Sequence, residues 1–178
     1  FAVVESVARA VALGVDPDKI RLTLQEYFEK LVDDAAWGKP FAALLGAYTA
    51  QNALAAPAIG GKDSMSGTFM DKTVPPTLIS FAVGIIEAAQ AVSSEFKQTD
   101  STVIFIDCPR NEAELVDFTT YKAQLRILHQ AIVAGKVRAA ATVKAGGIAA
   151  AVTQMCLGNK IGFKFNKPLP ETNTLFVP

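Results

Sequence analysis

Apolar positions Val4, Val7, Ala8 and Val11 recur three and four residues apart, so the chain is expected to open with an amphipathic helix that Gly14 ends. Asp16-Pro17 then reads as an N-cap followed by proline at the first helical position. The helix it predicts presents Ile20, Leu24, Phe28 and Leu31 on one face. Pro40 opens a third helix, with Leu44, Leu45 and Tyr48 inward, and Ala55 to Pro57 closes it. The period then shortens. Pro57-Ala58-Ile59 is a short extended run into a Gly60-Gly61 loop. After Pro75-Pro76, a strand is predicted over Thr77 to Ile85, bulky at Ile79, Phe81, Val83 and Ile85 and small at Ser80, Ala82 and Gly84. One face is expected to pack a core and the other to admit a close neighbour.

Ser93 to Ser101 is polar and charged and reads as a boundary between two lobes. Beyond it, Val103 to Ile106 predicts a buried strand stopped by Asp107 and Pro109. Phe118, Tyr121, Leu125, Leu128 and Ile132 predict a long amphipathic helix. Val137 to Val143 reads as a weak strand. Gly146-Gly147 opens a helix with Ile148, Val152 and Met155 inward and Gly158 as its stop, and Ile161 to Phe165 is a last strand. The expected fold class is therefore α/β, as α+β two-layer lobes. Residues 1–92 form one lobe, 93–101 a linker and 102–178 a second lobe. There is no internal repeat and no low-complexity tract.

Composition narrows the partners. The apolar fraction of 51% over 178 residues suffices for one or two small cores and argues against disorder. Seventeen basic residues balance seventeen acidic ones, so no broad basic surface exists to hold nucleic acid. Cys108 and Cys156 stand far apart, with no metal spacing, and read as small buried apolar residues of a protein in a reducing cytosol. No secretory signal is evident. Thr77 to Val92 is the longest candidate for a membrane span, and Ser80, Gly84, Glu87 and Gln90 interrupt it. A cytoplasmic protein without membrane contact is expected. The start at Phe1 and the end at Val177-Pro178 read as cuts from something longer.

The sharpest chemical signal is Gly60-Gly61-Lys62-Asp63-Ser64. Paired glycines let backbone N–H groups approach an anion, Lys62 supplies a point charge, Asp63 can hold magnesium and Ser64 can bond a phosphate oxygen. A tight turn with solvated charges is the alternative. It is not a Walker A loop, because Ala56 and Asp63 stand where that pattern needs glycine and Ser or Thr. Lys144-Ala145-Gly146-Gly147 precedes a helix and could attract an anion or be an ordinary turn. Glu5 and Arg9 are spaced as an i,i+4 ion pair, Asp107 as a turn former and His129 as a structural helix residue. No serine, cysteine or threonine has the partners of a catalytic nucleophile.

Longer blocks carry a resemblance. Gly60-Gly61-Lys62-Asp63-Ser64-Met65-Ser66-Gly67-Thr68-Phe69, then Val74-Pro75-Pro76-Thr77-Leu78-Ile79-Ser80-Phe81-Ala82, then Gly146-Gly147-Ile148-Ala149 and Met155 to Phe163, resemble the long single-chain form of phosphoribosylformylglycinamidine synthase. The resemblance implies an aminoimidazole-ribonucleotide-synthase-like fold, with the end of a second N-terminal lobe and the start of a second C-terminal lobe. It implies a ligase that uses ATP, magnesium and ammonia from a glutaminase domain to convert formylglycinamide ribonucleotide to the amidine. Carried over by position, Gly61 touches ATP and Ser64 holds substrate. Lys62 stands where short forms have a magnesium-facing asparagine, so Lys62 is assigned to phosphate and Asp63 contends for the metal. A second, auxiliary nucleotide site of some long forms maps to Glu5, Arg9 and Thr142, with Lys144 beside it. Two of its three metal ligands are replaced, so this site is expected to hold no magnesium-nucleotide. The catalytic histidine and the glutaminase are outside this sequence, so the chain alone is expected to be inactive, with no tightly bound cofactor. A different small-molecule kinase of the same fold, or a purely structural half of the synthase, are the competing readings.

Overall fold

The computed structural model describes residues 1–166 and 175–177. Residues 167–174 and Pro178, which belong to the expected second lobe, lie outside them. The first helix, α1 (Ala2–Leu13), buries Val3, Val4, Val7 and Val11 on one side, as their spacing requires. Gly14, at φ 122°, turns the chain, and its N–H closes on the Val11 carbonyl.

The Asp16-Pro17 signal produces only a single 3-10 turn, Pro17–Lys19, with the Asp18 N–H donating to the Asp16 carboxylate. The expected helix through Ile20, Leu24, Phe28 and Leu31 is replaced by strand β1 (Arg21–Tyr27). A spacing of four suits a helix and is also twice the strand period, so those residues could not decide between the two. Leu22 decides: it is 0% exposed, and with Ile20 and Leu24 it makes a row of period two.

The next helix, α2 (Asp34–Leu54), starts ahead of Pro40 instead of at it. The Asp33 carboxylate caps it by accepting from the Ala36 N–H at 2.8 Å. Pro40 sits inside the helix, turned inward with Ala36, Ala47, Ala50 and Leu54. Leu44, Leu45 and Tyr48 face outward, against expectation. Small side chains on the inner face let α2 lie close to its neighbours, and the bulky ones are left outside. Ala55, at φ 55°, ends the helix.

Strand β2 (Ala58–Ser64) runs parallel to β1, so the expected glycine loop is itself part of a strand. The short β3 (Thr68–Phe69) and β4 (Lys72–Thr73) form a hairpin, and β5 (Thr77–Val83) returns antiparallel to β1. The sheet order is β2-β1-β5. The alternation of β5 is as expected but its polarity is reversed. The small side packs under α1: Ser6 and Ser80 share a 2.8 Å hydroxyl contact, Ala82 lies against the core, and a Cβ on Gly84 would run into Val15. The bulky side, Ile79, Phe81 and Val83, is open, and Ile85 beyond it is 92% exposed. A helix seated directly on the strands needs small residues beneath it, which is why the small row faces inward.

The helices α3 (Phe118–Val133) and α4 (Gly147–Leu157) form near their expected limits. The Asp117 carboxylate caps α3, whose Tyr121 and Leu125 join the core of α1. Tyr121 donates its hydroxyl to the Val4 carbonyl at 3.1 Å, and burial pushes its phenol pKa up. Arg126 grips Asp18 through two hydrogen bonds of 2.8 and 3.2 Å. The three strands expected around these helices do not form. Val103 to Ile106 is unpaired and exposed, Val137 to Val143 is irregular, and so is Ile161 to Phe165. Among the described residues no strand lies beside them, and an extended segment without a ladder is no strand. Phe163 instead stacks on Phe96, with ring centroids 6.1 Å apart. The whole is a mixed α/β fold of helices and small sheets.

Candidate functional site

Geometry at the β2 edge separates residues that sequence places side by side. Register pairs Gln25 with Lys62 and Tyr27 with Ser64 on one side of the sheet, level with Ile79 and Thr77 of β5. On the other side it pairs Glu26 with Asp63, level with Leu78. Alternation therefore puts Lys62 and Ser64 on the open face and Asp63 on the face that carries α1. Lys62 is exposed and donates from Nζ to the Asp63 carbonyl at 2.9 Å. Ser64 is half-buried, and its carbonyl accepts from the Phe28 N–H. On the same face the Tyr27 hydroxyl donates to the Gln25 amide oxygen at 3.1 Å.

The two glycines do different things. The β1–β2 register slips next to Leu22, where Ala58 pairs, so that Thr23 meets Gly60 and Ile59 is left over as a bulge. Gly60 has open space around it. At Gly61 a Cβ would run into the Leu24 carbonyl, so this glycine lets the two strands close together. Gly67, just past β2, is similarly confined by Val74 and by the Phe28 carbonyl that accepts its N–H.

Asp63 and Glu26 form an acidic pair on neighbouring strands. Burial, and then the Asp63 charge, raise the Glu26 pKa above its ordinary value. Sequence inspection missed Glu26, because the residues around it read as a helix. The row Ile20, Leu22, Leu24 was the signal that could have placed it on a strand.

Glu5 and Arg9 form an i,i+4 ion pair of 3.7 Å with both side chains at least half exposed. Among the described residues no hydrogen bond or ion pair joins them to Thr142 or Lys144. The turn before α4 is taken up by the chain itself. Gly146 and Gly147 have φ of 88° and 65°, the Gly147 N–H donates to the Lys144 carbonyl, and a Cβ on Gly147 would collide with Leu175 and Phe176. His129 lies half-buried on α3, with Nδ1 enclosed and unpartnered. Asp107 is exposed. Both cysteines are free thiols and only half-buried, and burial pushes Cys108 up. Among the described residues no three His, Cys, Asp or Glu side chains come together to hold a metal, and no helix is long and apolar enough to cross a membrane.

No family model matches this chain, and no curated protein does. Solved structures do, two of T. maritima PurL among them. T. maritima PurL complexed with AMPPCP aligns with a TM-score of 0.59 at 16% identity, over 86% of this chain and 24% of that one. T. maritima PurL complexed with ADP aligns with a TM-score of 0.50 at 15% identity, over 82% and 23%. This chain shares their fold. It spans about a quarter of the length of those PurL chains.

Proposed function

We propose that this chain supplies one wall of the ATP and substrate site of a phosphoribosylformylglycinamidine synthase, an ATP- and glutamine-dependent ligase of purine biosynthesis. Two independent supports converge: the sequence blocks around Gly60 to Ala82 and Gly146 to Phe163, and a fold shared with PurL structures that hold AMPPCP and ADP. The observation that carries the reading is the shared face of Lys62 and Ser64. An ammonium and a hydroxyl two residues apart on an open sheet face suit a phosphate group. In this reading Lys62 holds phosphate, Ser64 holds the substrate and Gly61 lies along the nucleotide.

Magnesium belongs on the other side of the strand. Asp63 and Glu26 offer the hard carboxylate oxygens that ion takes; burial first, and then the neighbouring Asp63 charge, disfavour ionised Glu26, and a dication would relieve both. Bound there, it would offset the charge of the two carboxylates, on the face opposite the phosphate that Lys62 and Ser64 would hold. Lys62 cannot ligate a metal, and alternation separates it from Asp63. The activated amide of formylglycinamide ribonucleotide, phosphorylated by ATP, would be attacked by ammonia from a glutaminase domain. Lys62 would stabilise the phosphate as it is transferred and released. Residues 1–92 and 102–178 would belong to successive lobes joined through 93–101. The auxiliary-site positions Glu5, Arg9, Thr142 and Lys144 would hold no magnesium-nucleotide, with Arg9 already paired with Glu5. The chain alone would be inactive and would work in the cytoplasm.

A second reading, a bracing half with no ligand, is favoured by Gly61, since contact with Leu24 already accounts for that glycine. Lys62→Ala and Ser64→Ala in the complete synthase separate the two. A phosphate-holding role predicts that each lowers kcat/KM tenfold or more, as expected for a charge-assisted contact of roughly 1.5–3 kcal/mol. Near-normal kinetics for both would favour the bracing role.

A further inference from the structure

The outer surface of α2 is built as two parallel rows. Trp37, Phe41, Leu45 and Tyr48 make a ridge and are 58%, 61%, 50% and 63% exposed. Beside it, Gly38, Ala42 and Gly46 repeat every four residues as a trough. A Cβ on Gly38 or Gly46 would meet nothing within 4 Å, so neither glycine is explained by packing inside the chain. Both weaken the helix they sit in. From Ala35 to Ala55 the only charged residue is Lys39, and it is paired with Glu29.

We propose that this face pairs with the same face of a second copy of the chain. An uncharged ridge beside an uncharged trough is self-complementary. When two copies of α2 cross antiparallel about a twofold axis near Ala42 and Leu45, each ridge enters the other's trough. The glycines then have a role, since they let the two helix backbones approach. Area supports this occupant. Aromatic side chains carry about 150–250 Å² each, so the ridge and Leu44 expose on the order of 500 Å² per copy, or about 1,000 Å² for the pair, the lower bound of a specific interface and the range of a weak dimer. No charge on either copy opposes the approach.

Sedimentation equilibrium on the 178-residue chain tests the pairing, with circular dichroism to confirm that each variant folds. The chain is expected to be dimeric at about 100 μM. Phe41→Glu, or Leu45→Glu should the first misfold, should raise the dimer dissociation constant at least a hundredfold. Gly46→Leu should raise it at least tenfold while leaving the monomer helix as stable or more so, since the trough is filled where the chain itself leaves open space. Phe81→Glu, on the open sheet face, should leave it unchanged. A monomer at that concentration would overturn the proposal, as would a dimer that Phe81→Glu dissociates and Phe41→Glu does not. A dimer indifferent to Gly46→Leu would remove the ridge-and-trough geometry.

Discussion

Leu22 and Ile104 are both aliphatic residues in strand-like runs, and they meet opposite fates. Leu22 lies in the middle strand of a sheet with a neighbour on each side and a helix above, and is wholly buried. Ile104, in the equally apolar run Val103 to Ile106, has no strand beside it among the described residues and is 78% exposed. The difference is one of partners, not of composition. A strand exists only when another extended segment completes its ladder, and the first part of this chain contains three that meet while the second contains none among the described residues.

The sharpest way to break that comparison is to truncate both residues. Leu22→Ala should cost about 3 kcal/mol in urea unfolding, the penalty for emptying a filled core position, whereas Ile104→Ala should stay within ~0.5 kcal/mol. Equal effects would mean that the run around Ile104 is buried after all. A smaller effect is expected at the tightest point of the sheet. Gly61→Ala puts a methyl group against the Leu24 carbonyl and should cost about 2 kcal/mol, because backbone cannot step aside as a side chain can. No loss of stability would show that β1 and β2 are not closely paired there.

The smallest effect concerns the acidic pair. Glu26 has a folded-state pKa above its unfolded value, so its ionised form is less stable in the fold than in the unfolded chain. Stability from this group is therefore lost as pH rises through the folded pKa, and is recovered as pH falls through that value toward the ordinary 4.5. Glu26→Gln should stabilise the chain at neutral pH by less than about 1 kcal/mol, the side chain being only partly buried, and the gain should vanish in acid. Thermal unfolding measured across pH reads this directly. A variant that is less stable than the parent at pH 7 would reverse the assigned sign.

Much of the helical framework was legible. Val4, Val7 and Val11, and Tyr121, Leu125 and Ile132, announce α1 and α3, and each row is buried where its spacing puts it. Where spacing failed, it failed for identifiable reasons. Residues four apart from Ile20 to Phe28 are compatible with two periods. The inward face of α2 is chosen by small residues that let it approach, which a rule counting bulky apolar positions inverts. The same inversion occurs on β5, where Ser80, Ala82 and Gly84 face α1 and Ile79 and Phe81 do not. For the candidate site, sequence located the right stretch but not its geometry. Gly60 to Ser64 reads as a loop in which Lys62, Asp63 and Ser64 serve one ligand together. As a strand it deals them to two faces and brings Glu26, thirty-seven residues earlier in the chain, beside Asp63. No local pattern reveals a partner across a parallel ladder.

The account rests on Lys62 as the phosphate-facing cation of the open sheet face. A lysine-reactive acyl phosphate of ATP, used on the complete synthase with peptide mapping by mass spectrometry, tests it most directly. The account predicts preferential labelling of Lys62 that excess ATP suppresses and that Lys62→Arg abolishes without moving the label to Lys144. ATP-protected labelling of Lys144 with Lys62 left unmodified would contradict it.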